Sequence, residues 1–286
     1  MDPHLLRTFV AVARLASFSA AARELGYTQS AVSQHIASLE QDLGAALLTR
    51  RPVAPTAAGD RLLEHAAPLL LRLDAARADV ARIAAAPPHG LTLAASPTAL
   101  HARVPAALPS VGVTVRVLAR EDVPAAVATG GADVGLVDGL AAPSDPLRLP
   151  DVAPLTTRRV SEEPVGVLLP ASHPLAGRDG LRLADLVDAR WIDAPDTALP
   201  LPQVRAAEGG QGFRAALRYE GTDVRTLAGL VAAGHGLALL PWSVGARMGV
   251  GTCVVALVEP WVVHRVECVF AGVLSGAGEA LVGALG

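Results

Sequence analysis

Apolar residues recur at helical spacing through roughly the first 86 positions, then give way to short apolar runs alternating with helical stretches. Leu6, Phe9, Val10 and Ala13 mark the inner side of a first helix over residues 3–16. The next stretch, SFSAAARELGYTQSAVSQHIASLEQDLG (17–44), predicts two short helices around a tight turn. Ser19 can cap the first of them, Ala20, Ala21, Ala22 and Leu25 pack inward, and Phe18 plugs the shared core. Gly26 supplies the left-handed backbone at the first helix's C-terminus, and Thr28 is the N-cap of the second. Val32, Ile36, Leu39 and Leu43 fall at i, i+4, i+7 and i+11, one buried stripe. LLTRRPVAPT (47–56) follows as two extended pieces around Arg50, Arg51 and Pro52, a small two-stranded wing. Thr56 caps a long helix from about Ala57 to Ala86, in which Leu62, Ala66, Leu69, Leu73, Ala76, Val80 and Ile83 recur at alternating steps of 4 and 3. That a/d seam predicts pairing with a second copy of the chain. Pro68 lies within it and removes a backbone donor, predicting a kink or weak point.

AAAPPHG (84–90) breaks the helix and reads as a hinge. Beyond it, LTLAAS (91–96), VTVRVLA (113–119) and ADVGLVDG (132–139) read as strands separated by helices at 98–108 and 122–129, an order that argues for a parallel sheet. A second set begins at VGVLLP (165–170). It runs through a helix near 183–188, strand 191–193, a helix near 202–207, strand 213–220, helix 223–233 and strand 237–241. Strands at 254–258 and 266–272 and a helix over 276–285 close the chain. Two α/β lobes with a cleft between them suit the gripping of a small solute at the carboxyl ends of strands. Ser96, Thr98, Thr197 and Thr222 stand just past such ends, where their hydroxyls could hold a carboxylate; each also reads as a plain helix cap. No arginine can be assigned to the cleft from the sequence.

On the predicted second helix Ser30, Ser33, Gln34, Ala37 and Gln41 face outward, with Gln29 at the first turn. A solvated helix ordinarily carries Glu and Arg there. Gln and Ser suit close approach to base edges, because a Gln amide can donate to and accept from adenine in one plane. The bland alternative is a small helical bundle with a neutral face. Arg at a wing tip can lie along a DNA backbone or minor groove, and the alternative there is a solvated basic turn.

Charge neither demands nor forbids nucleic acid. Residues 1–90 hold nine Arg against eight acids, the remainder fifteen against nineteen, and the chain contains no Lys. A two-fold dimer doubles the phosphate contacts available to so weakly basic a head. The two cysteines, Cys253 and Cys268, are too few for a disulfide framework or zinc site, and two reduced buried thiols are expected. The start, MDPHLLRTFV, carries charge where an export signal needs an apolar run, so a cytoplasmic location is expected. Residues 226–246 contain no Asp, Glu or Arg, but Gly229, Gly234, Gly236 and Pro241 punctuate them, and no membrane span is expected.

The chain resembles the LysR-type transcriptional regulators. The resemblance rests on LLRTFVAVA (5–13), SFSAAARELG (17–26), TQSAVSQHIASLEQDLG (28–44), LLTR (47–50) and PTAAG (55–59). Further matches are GADVGLVDG (131–139), ASHPLAG (171–177) and VAAGHGLALLP (231–241). It implies a multidomain α+β chain: a winged helix-turn-helix DNA-binding domain (1–58), a dimerisation linker helix with hinge (59–90) and a two-lobed effector domain (91–286) like the type 2 periplasmic binding proteins. Lobe I would hold about 91–158 and 259–286, lobe II about 159–258, with crossovers near 158–165 and 253–259. By the same resemblance Thr28, Gln29, Ser33, Gln34 and His35 touch DNA, with Arg50 on the wing; Ser30 and Arg51 join them by position. Leu62, Leu69, Leu73, Val80 and Ile83 would form the dimer seam, and the dimers would assemble into tetramers. Ser30 stands where the family often has Pro, the wing is short, and Pro68 is unusual in the linker. The expected partners are an operator duplex, a small effector of unknown identity and a second copy, with no cofactor and no metal. The alternatives are a transporter's solute-binding protein or an enzyme on the same lobes. The first lacks use for residues 1–86; for the second, His101, His173, His235 and His264 are scattered singly with no triad or metal spacing.

Overall fold

The computed structural model describes residues 1–84, 90–100, 103–110, 112–208, 212–274 and 276–286. Most of the hinge expected at 84–90, and His101, lie outside these. Two compact units emerge, Met1–Arg77 and Ala78–Gly286.

In the first unit, α1 (Pro3–Leu15), α2 (Phe18–Leu25) and α3 (Gln29–Leu43) enclose a core of Leu6, Phe9, Val12, Ala21, Val32, Ile36, Leu39 and Leu47. Thr28 caps α3 by accepting from the Ala31 N–H at 3.1 Å. The α2 cap is Ser17, which accepts from Ala20 N–H at 3.2 Å; Ser19 lies inside the first turn, which corrects the expected assignment. Gly26 (φ 70°) ends α2 in the left-handed conformation. The apolar stripe of α3 runs out before its end, leaving Leu43 exposed. Strands β1 (Leu48–Arg50) and β2 (Val53–Pro55) form the antiparallel wing. Thr56 caps α4 (Ala57–Ala84) through Gly59 N–H, and the helix continues through Pro68 without a break.

The second unit is built on an eight-stranded sheet. Strands β3 (Leu91–Ala95), β4 (Val113–Val117) and β5 (Val134–Ala141) pair in parallel in the order β4-β3-β5. The three strands expected to be parallel are so; next come β12 (Val263–Ala271), antiparallel to β5, and β6 (Leu155–Pro170), antiparallel to β12, so the whole sheet is mixed. Alternate side chains of β12 enter two cores. Val266, Cys268 and Phe270 pack with α10 (Gly276–Leu285), and Val269 and Ala271 with α6 (Asp122–Ala128). Among the described residues of the helix expected over 98–108 there are a turn at 97–99 and short α5 (Arg103–Ala107).

β6 joins the two lobes. Leu155–Pro164 pair with β12, whereas Val165–Pro170 pair with β10 (Ala238–Pro241) and β11 (Thr252–Glu259). The first crossover is thus at 164–165 and the second between Glu259 and Val263, just past the expected range. Only the last third of β6 was legible, because Arg158, Arg159, Glu162 and Glu163 interrupt its apolar alternation. The second lobe adds β7 (Leu181–Arg182), a 3-10 turn at Leu183–Leu186, and the parallel pair β8 (Trp191–Asp193) and β9 (Ala215–Arg218). Helices α7 (Leu201–Glu208), α8 (Val224–Ala232) and α9 (Trp242–Gly245) complete it.

Candidate functional site

Thr28, Gln29, Ser30 and Gln34 are exposed on α3 and Ser33 is half-exposed, a polar face with no charged side chain among them. Ser19 on α2 donates to the Gln29 side-chain oxygen at 3.1 Å and so sets that amide's direction. His35 makes contacts within its own unit. Its Nδ1 lies 3.0 Å from the hydroxyl of buried Thr8, and its ring meets Tyr27 edge-on at 5.1 Å. Half-buried, His35 is tied to α1, while Thr28, Gln29, Ser30 and Gln34 are exposed.

The wing is tied to the same helix. The Glu40 carboxylate accepts from Leu47 N–H at 2.8 Å and Leu48 N–H at 3.3 Å. Thr49 donates across the hairpin to the carbonyls of Pro52 (2.6 Å) and Ala54 (3.1 Å). Arg50 lies over the Phe18 ring, 5.3 Å from its centroid, and both Arg50 and Arg51 remain exposed. Sequence reasoning missed Glu40. Its only signal was an acid in a helix's last turns, where the macrodipole disfavours negative charge unless nearby N–H donors compensate.

On the long helix, Leu62 and Ala66 pack into the core of their own unit, so the heptad seam does not begin there as expected. From Leu69 (41% exposed) through Leu73 to Val80 (70%) and Ile83 (89%) its apolar side chains are open.

In the second unit a cavity of about 930 Å³ lies between the lobes, lined by Arg120, Asp138, Leu140 and Leu147 from the first lobe and by Asp193, Asp196, Gln203 and Arg218 from the second. At its base the carboxylate of buried Asp138, on β5, gathers four donor residues. Ser96 and Thr98, just past β3, donate to its two oxygens at 2.5 Å each. Arg120, three residues past β4, forks onto both oxygens at 2.9 and 3.1 Å. His264 Nε2, from β12, lies at 2.7 Å. Burial pushes the Asp138 carboxyl up, but the charge of Arg120 and the hydrogen bond and charge of His264 outweigh it and hold the group well below the usual carboxylate range. Arg120 also spans the lobes. It donates to the carbonyls of Pro195 and, at 3.3 Å, Ala198, and its backbone N–H reaches Asp196 at 3.3 Å.

Of the four hydroxyls expected to hold a ligand, the structure brings together Ser96 and Thr98, and both are engaged by Asp138. Thr197 is fully buried, and its hydroxyl has no hydrogen-bond partner among the described residues. Thr222 is exposed, and it is its neighbour Asp223 that caps α8. Arg120, Asp138 and His264 were missed, although the rule that found Ser96 also reaches Arg120, three residues past β4. An Asp closing the apolar run ADVGLV was the available signal.

The sequence profile described as "LysR substrate binding domain" matches residues 84–271, and that of the "Bacterial regulatory helix-turn-helix protein, lysR family" matches residues 3–60. The chain belongs to the LysR family. It is 33% identical over 274 residues to the transcriptional regulator IlvR of Caulobacter vibrioides, covering 91% of this chain and 89% of that one. It is 28% identical over 255 residues to AlsR of Bacillus subtilis, covering 85% and 81%. The fold is that of CbnR, a LysR family transcriptional regulator (TM-score 0.56, 23% identity, 100% of this chain and 98% of that one). It is likewise that of full-length CbnR complexed with its target DNA (TM-score 0.55, 22% identity, 100% and 98%). This LysR-type transcriptional regulator therefore joins a helix-turn-helix head to a substrate-binding domain. Among its described residues no helix is long and apolar enough to cross a membrane.

Proposed function

We propose that this LysR-type regulator reads an operator through α3 and the wing, as a homodimer that pairs into tetramers, and that a small molecule in the interlobe cavity shifts its DNA occupancy. The carrying observation is the uncharged, exposed row Thr28, Gln29, Ser30, Ser33 and Gln34 beside the two exposed wing arginines, Arg50 and Arg51. Side-chain amides and hydroxyls read base edges, whereas arginines at a wing hold the backbone. A two-fold pair presents two such helices to major grooves about 34 Å apart. The open ridge Leu69–Ile83 supports that pairing. An effector acts only through unequal affinity for two arrangements of the lobes. The role is regulatory and not catalytic, and its place is the cytoplasm, with the operator.

Gln34→Ala should cost roughly 1–3 kcal/mol of discrimination among operator variants, while Arg50→Ala weakens all sequences alike and lowers the salt slope by about 1. Competition binding at several salt concentrations measures both. An unchanged ranking of operator variants in Gln34→Ala would remove α3 as the reading element.

A further inference from the structure

The donor inventory around Asp138 is complete, and that bears on what the cleft can hold. An ionised carboxylate offers about four lone-pair positions. Five donors meet them: Ser96 and the Arg120 Nε–H on one oxygen, and Thr98, the Arg120 Nη2–H and His264 on the other. Arg120 is spent as well, since its remaining N–H groups go to Thr98 (3.1 Å) and to the Pro195 and Ala198 carbonyls. Two hydroxyls past a strand end, a forked guanidinium and an imidazole form a cradle for an anion, and the anion in it belongs to the protein.

We propose that Asp138 is the built-in occupant of the cleft's anion cradle and thereby a specificity-determining residue. It bars carboxylate-bearing effectors from the ends of β3 and β4 beside the middle of β5, and leaves the cavity to molecules that are neutral or cationic where they meet this cradle. The inference rests on the reading of the cavity as the effector site. The walls beyond the cradle agree with it. Of the three lining arginines, Arg120 is matched by Asp138, and Arg218 by Asp193 and Glu220 at 2.8 Å each. The lining also holds Arg148 and three further acids, Glu121, Asp145 and Asp196. A second anion in the cavity would meet the Asp138 charge with no donor left in the cradle to compensate it.

The test follows the melting of the full-length protein in sodium formate or acetate against chloride at matched ionic strength. Wild type should show no saturable carboxylate effect. Asp138→Ala empties the cradle and should gain a saturable formate stabilisation of about 2–6 °C, absent from the Asp138→Ala, Arg120→Gln double variant. If Asp138→Ala does not fold in chloride, recovery of folded protein on refolding in formate has the same meaning. A saturable formate or acetate response of wild type that Arg120→Gln removes would overturn the proposal. So would a folded Asp138→Ala indifferent to formate, or one that folds in neither salt. Operator binding by the same wild-type preparation is read in parallel. Its loss would sink the regulatory reading and leave the carboxylate result intact, because the melting readout involves no DNA.

Discussion

Asp138 shows how a residue can be costly alone and stabilising in company. A buried carboxylate is expensive unless paired and hydrogen-bonded, and here Arg120, His264, Ser96 and Thr98 supply both needs. Because its folded pKa lies below the unfolded one, near 4, the ionised form favours the folded chain at every pH above that value. The contribution is lost as pH falls below about 4 toward the folded pKa. Acid melting of the second unit should therefore steepen in that window, and Asp138→Asn should flatten the steepening. At neutral pH the same substitution should cost about 3 kcal/mol or more, by leaving Arg120 buried without its counter-ion. A melting-temperature profile from pH 7 to 3 measures both effects. An identical acid limb in the two proteins would show that Asp138 is not the group responsible. Cys268 lies nearby in sequence to His264 but has another fate, since burial pushes its thiol up to about 11 and keeps it protonated.

At the scale of elements, Gly59 explains how the wing and α4 meet. A Cβ built there would stand 2.1 Å from the Leu47 carbonyl oxygen, a backbone atom held in place by the wing. Leu47 N–H is bound to Glu40, and Thr56 N–H to Leu47 O at 2.9 Å, so neither partner can retreat cheaply. Alanine ordinarily favours a helix over glycine by about 1 kcal/mol. At this position the clash should win, and Gly59→Ala should destabilise the first unit by roughly 1–3 kcal/mol. Urea unfolding would show it, and a neutral or stabilising result would mean that the wing can shift. The motif PTAAG (55–59) was visible in the sequence, but its reason was not. The obstructing atom comes from twelve residues earlier, and no local pattern reports it.

For the whole molecule, the α4 ridge separates two kinds of apolar residue that one heptad pattern had merged. Leu62 and Ala66 belong to the core of their own unit, while Val80 and Ile83 are 70% and 89% exposed in the single chain. Replacing both exposed residues with Asp should leave the melting of a single chain within about 0.5 kcal/mol of wild type, yet dissociate the dimer and weaken binding to a two-half-site operator. Sedimentation at several concentrations distinguishes this from Ala66→Asp, which should unfold the first unit. A dimer that survives the Val80 and Ile83 substitutions would move the interface elsewhere.

The chain's periodicity and caps carried the helix-turn-helix, the wing, the parallel strands β3 to β5 and the outward polar face of α3, because each is set by neighbours within one or two turns. The length of β6, the reversal of direction at β12 and the inward anchoring of His35 were settled only in three dimensions. So was the cradle, whose members Ser96, Arg120, Asp138 and His264 are spread over 168 positions of chain. Apart from Ser96, each of them alone reads as an ordinary polar residue. Their meaning comes from the sheet that places two strand ends, the middle of β5 and one antiparallel strand side by side, where one carboxylate can satisfy four donor residues that water would otherwise have to serve.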